Sequence, residues 1–277
     1  MIGQRELLKK IDGQIEREKF PKVSILIGEK GSGRKTLAYH ISQKMNLDMC
    51  LVNPTLDEIT EVYNDLHKET LPLSIYVFDD GDFIPDEATD ILKKMIADDI
   101  EATFIIICEL LDNIPQEIKE KSVTYMMESY YDDDKFDFLY KMGINTLNRE
   151  DEEFVIDTAS NLSDIESLCA LDIRDFKKYV NFVLDNLVSD TFIPSTNASK
   201  IAFNEEDDKF PMRMFLKAFM TICGDRMRIE GNSLMYCRFI AITGDTLQRM
   251  IGDSSDNKKV FDVWEATIRF EYKKFRG

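Results

Sequence analysis

The apolar residues in the first half of the chain run in two alternating rhythms. Leu7, Leu8, Ile11 and Ile15 recur at helical spacing and predict an amphipathic helix within residues 1–19. "VSILIG" (Val23 to Gly28) is instead a short unbroken apolar run ending in glycine, which predicts a buried strand and a turn. "KTLAYHISQKM" returns to the helical period. The same alternation continues through strands at "DMCLVN", "LSIYVFDD", "ATFIIICEL" and "SVTYMM". Helices fall between them at "TLDEITEVYNDLHKE", "PDEATDILKKMIAD" and "IPQEIKEK". Thr55, with Glu58 three residues on, predicts an N-cap completed by a capping box. Short apolar strands alternating with amphipathic helices indicate a parallel sheet covered on both faces, with its boundary at Met127.

Beyond Met127 the strand pattern stops. "DDDKFDFLYKMG", "REDEEFVIDTASN", "SDIESLCAL" and "DIRDFKKYVNFVLDNL" predict successive helices between residues 132 and 187. "SDTFIPSTNASKIAFNEEDDKF" is polar and broken by Pro, Ser and Asn, as a linker would be. Three longer helices follow Pro211. The Met and Phe density of "FPMRMFLKAFM" sits at helical spacing and reads as core, as does Trp264 with Phe261 and Ile268 at i−3 and i+4. The acidic "YYDDDKFD" lacks the glycine and closing glutamate of a calcium loop and reads as a solvated helix start.

At 277 residues the chain is long enough for two or three cores, and no apolar stretch reaches membrane-spanning length. The charged, amphipathic N-terminus has no signal-peptide core, so a cytoplasmic protein is expected. The five cysteines are scattered, with no C-x-x-C pair and only two histidines; free thiols and no zinc site are expected. A formal charge of −17 opposes wrapping DNA unaided, since phosphate contact requires basic surface.

The chemistry is concentrated where the first strand enters its helix. "SILIGEKGSGRKTLAYHIS" keeps the glycine spacing of a phosphate-binding loop, G-x-x-x-x-G-K-[ST], in Gly28 and Gly33, with Gly31 between them. The following residues are Arg34 and Lys35, and Thr36 comes one place late. With the glycines in register, Arg34 takes the phosphate lysine's position and Lys35 that of the metal-binding hydroxyl. Sliding the motif to pair Lys35 with Thr36 loses both framing glycines. Downstream, "IYVFDD" has the Walker-B form, in which Asp79 would hold Mg²⁺ and Asp80 would polarise water.

Together with "DGDFIPDEATDILKKMIADDIEATFIIICE" and "IPQEIKEKS", these motifs resemble the AAA+ clamp-loader subunits, particularly the delta-prime type of bacterial DNA polymerase III. The resemblance implies an AAA+ P-loop α/β domain at residues 1–127, a helical lid at 128–190 and a helical collar-like domain at 205–277. It places sensor 1 at Cys108 or Glu109, the arginine finger at Lys121 and the sensor-2 arginine near Glu166, so the family's charge-handling positions are largely altered. The zinc module of the family is missing.

The implied role is a structural, weakly or non-hydrolysing member of a multisubunit ATPase in DNA replication. ATP or ADP would bind weakly, without a complete Mg²⁺ site. The partners implied are other clamp-loader-like AAA+ subunits, with DNA and sliding clamp reached only through the assembly and no membrane contact. Two alternatives remain open: a stand-alone ATPase using Lys35 and Thr36 with Asp79 and Asp80, and an adaptor that binds no nucleotide. Arg34 and Lys35 are expected to make the loop an anion site that needs no Mg²⁺.

Overall fold

The computed structural model describes residues 2–67, 74–98, 100–144, 147–189, 209–230, 233–250 and 256–276. The chain divides into two compact units, Met1–Asp134 and Lys135–Gly277. The expected boundary at Met127 falls at the end of the last strand, while the first unit continues to Asp134.

In the first unit α1 (Arg5–Ile15), β1 (Val23–Ile27), α2 (Arg34–Met45), β2 (Asp48–Val52), α3 (Leu56–Leu66) and β3 (Ser74–Phe78) follow in order. Then come α4 (Asp86–Ala97), β4 (Thr103–Cys108), α5 (Gln116–Glu120) and β5 (Val123–Met126). The strands form one parallel five-stranded sheet in the order β2-β3-β4-β1-β5. Every residue of β1 is buried because the sheet is covered on both faces. On one face Leu26, Val77, Ile105 and Ile107 meet Leu7 and Ile11 of α1 and Leu37 and Ile41 of α2. On the other, Ile25, Phe78, Phe104 and Ile106 meet Ile59 of α3, Leu92 and Met95 of α4 and Ile118 of α5. The unbroken apolar runs in the sequence are the direct consequence of this double burial.

Thr55 caps α3 as predicted, its Oγ1 accepting the Glu58 N–H at 3.3 Å. The reciprocal half of the capping box differs. Glu58 turns its carboxylate past Thr55 to accept from the backbone N–H and side-chain amide of Asn53, at 2.8 and 2.7 Å. These bonds hold the Glu58 carboxyl below its ordinary pKa.

The second unit is helical: α6 (Asp132–Lys141, beginning just before the division), α7 (Arg149–Thr158), α8 (Leu162–Cys169), α9 (Ile173–Leu187), α10 (Met212–Glu230), α11 (Ser233–Arg249) and α12 (Asn257–Arg276). A single apolar core runs through it from Leu139 to Ile268, so the segments expected as lid and collar share one interior. Phe215, Phe219, Phe261 and Trp264 cluster at its centre. The Trp264 indole N–H donates to Thr243 Oγ1 at 3.0 Å, satisfying the one polar atom that this burial would orphan. Most of the segment expected as a linker, 190–208, lies outside the described residues.

Candidate functional site

In a parallel sheet the C-terminal strand ends point the same way, and ligands of such sheets bind in the crevice beyond them. Here β4 lies between β1 and β3, so the loops leaving these three strands converge. They carry the glycine-rich turn, Asp79 and Glu109.

The turn is built as its glycines require. Gly31 and Gly33 have φ of 88° and 90°, in the left-handed region where a Cβ is disfavoured. A Cβ on Gly28 would lie 2.7 Å from Ser32 Oγ and 2.8 Å from Met127 Cβ, so the loop closes against its own base. Gly33 then caps α2, leaving the first-turn N–H groups and the positive end of the helix dipole facing the loop.

Two cations follow at this helix start, where the dipole disfavours positive charge by roughly 0.3–1 kcal/mol each. Each is met by a carboxylate from a neighbouring strand end. The Lys35 ammonium forms an ion pair with Asp79 Oδ2; the lysine side chain is 60% exposed and the aspartate 10%. Arg34 turns inward, 6% exposed, with Nη2 at 3.8 Å from Glu109 Oε1. That second pair is incomplete. Arg34 Nη1 and Glu109 Oε2 are both buried and lack a hydrogen-bond partner, as does the nearby Ser32 Oγ.

Three further residues hold the surroundings. Asp82, in the turn after β3, accepts the N–H groups of Glu109 and Leu110 at 2.6 and 2.9 Å and so fixes the chain leaving β4. Tyr130 is buried and donates its hydroxyl to the Ser32 carbonyl at 2.9 Å. Gln4 exchanges hydrogen bonds with the Glu128 backbone at 2.6 Å in each direction, clamping the chain start onto the segment that follows β5. Burial first, then the nearby Asp82 charge, pushes the Cys108 thiol up to about 12, so it stays neutral.

Gly28, Gly31, Gly33, Arg34, Lys35 and Asp79 are therefore brought together. Asp80 follows Asp79 with φ of 45° and is exposed, and Thr36 points to solvent on the first turn of α2. Lys121 is the exposed C-cap of α5; among the described residues no hydrogen bond or ion pair joins its side chain to the loop. Glu166 is exposed on α8 in the other unit. Sequence reasoning named Glu109, as an alternative to Cys108, without pairing it to Arg34, and missed Asp82 and Tyr130. The one signal for Asp82 was the acid-rich "DDGD". The acidic helix start is only partly solvated: Asp134 is buried and accepts from Arg5 at 3.0 Å.

An open cleft of about 700 Å³ also lies on α7 and α9. Its charges answer one another, Lys177 with Glu150 at 2.6 Å and Arg174 with Asp151 at 3.3 Å, so they do not converge on a ligand.

Against solved structures, the chain resembles Thermotoga maritima RuvB, titled a Holliday junction branch migration motor, at 15% identity and TM-score 0.51, covering 83% of this chain and 82% of that one. A proline-to-glycine mutant of RuvB gives 14% identity and TM-score 0.52, with 83% of each chain covered. The chain has the AAA+ fold. At this identity the likeness is one of fold alone. No protein-family model and no curated protein matches the chain.

The residues of the loop and of the Asp79 strand end can be tested for their fit to phosphate and to Mg²⁺. For phosphate the fit is good: a glycine turn, a helix start and a buried guanidinium with a free N–H. For Mg²⁺ it is not. The position of the metal-binding hydroxyl carries an ammonium, and that ammonium already occupies the acid that would hold the ion. Among the described residues no group of three or more His, Cys, Asp or Glu is placed to hold a metal ion.

Proposed function

We propose that this protein is a structural, weakly or non-hydrolysing AAA+ subunit of a clamp-loader-like, delta-prime-like assembly acting in DNA replication. The observation that carries this reading is the Lys35–Asp79 ion pair. Hydrolysis by a P-loop protein relies on a divalent ion to neutralise charge developing on the phosphates, and one ammonium shared with a carboxylate supplies less charge there. Lys121 at the finger position weakens transfer further, because an ammonium cannot grip spreading charge bidentately. Asp79, engaged by Lys35, is then poorly placed to hold a metal ion.

The charge distribution supports a role within an assembly. The first unit carries 28 acidic against 15 basic side chains, the second 24 against 20. An acidic AAA+ unit is suited to basic protein neighbours and to DNA reached through them. The division of residues 128–190 and 205–277 into lid and collar belongs to this proposal. The stand-alone ATPase reading, which needs Lys35 inside the loop, is opposed by its engagement with Asp79.

Affinity purification of the tagged full chain from its own cells tests the assembly, and a steady-state ATPase assay tests the chemistry. Recovery with a replicative ATPase and negligible turnover of the isolated chain are expected. Turnover by the isolated chain that is lost on Asp79→Asn would overturn the non-hydrolysing role.

A further inference from the structure

We infer that the loop binds phosphate-bearing ligands without a divalent cation, Lys35 standing in for the metal and Asp79 holding Lys35 as it would hold the ion. This rests on the reading above that the loop takes nucleotide weakly.

Three independent features converge. Tyr130 fixes the Ser32 carbonyl by a 2.9 Å hydrogen bond. In a trans peptide the following N–H points the opposite way, so the Gly33 N–H is turned away from Tyr130 and left for another acceptor. Next, Arg34 is more than nine-tenths buried yet keeps Nη1 unpartnered, and Ser32 Oγ is buried and unpartnered beside it in the turn. Leaving a buried guanidinium N–H unmade is costly, and a phosphate oxygen could accept from it. Finally, Lys35 reaches Asp79 from the first turn of α2 with a largely exposed side chain, so its ammonium can be shared between the carboxylate and an arriving phosphate.

Glu109 works against the ligand. Its carboxylate faces Arg34 and keeps one buried oxygen unpaired, so it repels an anion while neutralising the cation. Asp79 has the same double effect on Lys35. Weak, metal-indifferent binding follows from this balance. The chemistry recognises phosphate, and whether it comes from inorganic pyrophosphate or a nucleotide depends on contacts to the base and sugar.

Isothermal titration of the full chain with pyrophosphate, ADP and ATP, each in EDTA and in Mg²⁺, tests the proposal. Wild type should bind weakly, with affinities in the two conditions within about twofold, because no metal position is available. Nucleotides that bind more tightly than pyrophosphate would identify the nucleotide as the source of the phosphate. Asp79→Asn should raise affinity in EDTA about threefold, by releasing the Lys35 charge. The same rise is expected in Mg²⁺, where a site whose acid holds the metal would instead lose affinity. Lys35→Thr should lose about fivefold in EDTA and recover on adding Mg²⁺, with thermal melting confirming that it folds. Tight ATP binding by wild type only in Mg²⁺ would overturn the proposal and leave the nucleotide reading standing. Absence of binding by both wild type and Lys35→Thr in every condition would overturn the nucleotide reading itself.

Discussion

In the helical unit Lys217 Nζ lies 2.5 Å from Asp164 Oδ2, with both side chains almost wholly buried. The same carboxylate oxygen accepts the Ser160 N–H at 2.9 Å, and the Asp164 N–H is taken by the Asn161 side chain at 3.0 Å. At the loop of the first unit, Arg34 and Glu109 stay 3.8 Å apart, each with a buried polar atom unmade. One arrangement is a closed lock between α8 and α10; the other leaves hydrogen-bonding capacity unused. Burying two charges is tolerable when geometry is close and the remaining lone pairs are used, as at Asp164. In the reading proposed above, the unfinished pair beside the glycine-framed loop is where a ligand would complete the hydrogen bonding.

The sharpest way to break the contrast is to remove the cation of each pair. Lys217→Met should cost about 3–5 kcal/mol, because Asp164 is left charged and buried. Trp264 is the only tryptophan and lies in the same core, so its fluorescence in urea reads this unit directly. Arg34→Met should cost less, about 1–3 kcal/mol, since Glu109 is left without its cation but is less buried than Asp164. It should nevertheless abolish pyrophosphate binding in calorimetry. An Arg34→Met loss as large as that of Lys217→Met would show the loop pair to be a structural lock too.

Tyr130→Phe removes one hydroxyl and should cost about 1 kcal/mol or less, while weakening pyrophosphate binding several-fold through the freed Ser32 peptide. Melting and calorimetry on the same sample separate the two effects. A melting change with unaltered binding would limit Tyr130 to packing.

The smallest effect concerns a third pair, intermediate between the first two. Glu265 Oε1 receives two bonds from Arg269, at 3.0 and 2.8 Å, while Oε2 is buried without a partner. Burial, only partly offset by Arg269, raises this carboxyl above 4.5. A carboxyl whose folded pKa is raised contributes stability that is full below pH 4.5 and is lost as pH climbs through the folded value. The urea midpoint of wild type relative to Glu265→Gln should therefore fall between pH 4.5 and neutrality, as followed by Trp264 fluorescence. A constant difference across that range would contradict the raised carboxyl.

Much of the fold was legible residue by residue. Unbroken runs such as Ile25 to Ile27 and Phe104 to Cys108 mark strands buried on both faces, because each successive side chain enters a different core. Leu7 and Ile11 mark one helix face by their spacing, and Gly31 and Gly33 mark a turn by their left-handed backbone, Gly28 by its close contact with Ser32 and Met127. These signals are local: period, sterics and backbone conformation act within a few residues.

What the chain does with its charges was decided in three dimensions. The sequence by itself determined that two cations begin α2 and that acids close β3. Only the sheet order, which sets β4 between β1 and β3, brought Glu109 to Arg34 and Asp79 to Lys35. Glu58 shows the same lesson in small, its spacing promising a bond to the Thr55 backbone while its carboxylate settles on Asn53. A charged side chain takes whichever partner the fold brings closest, and for Arg34 and Lys35 that partner lies tens of residues away.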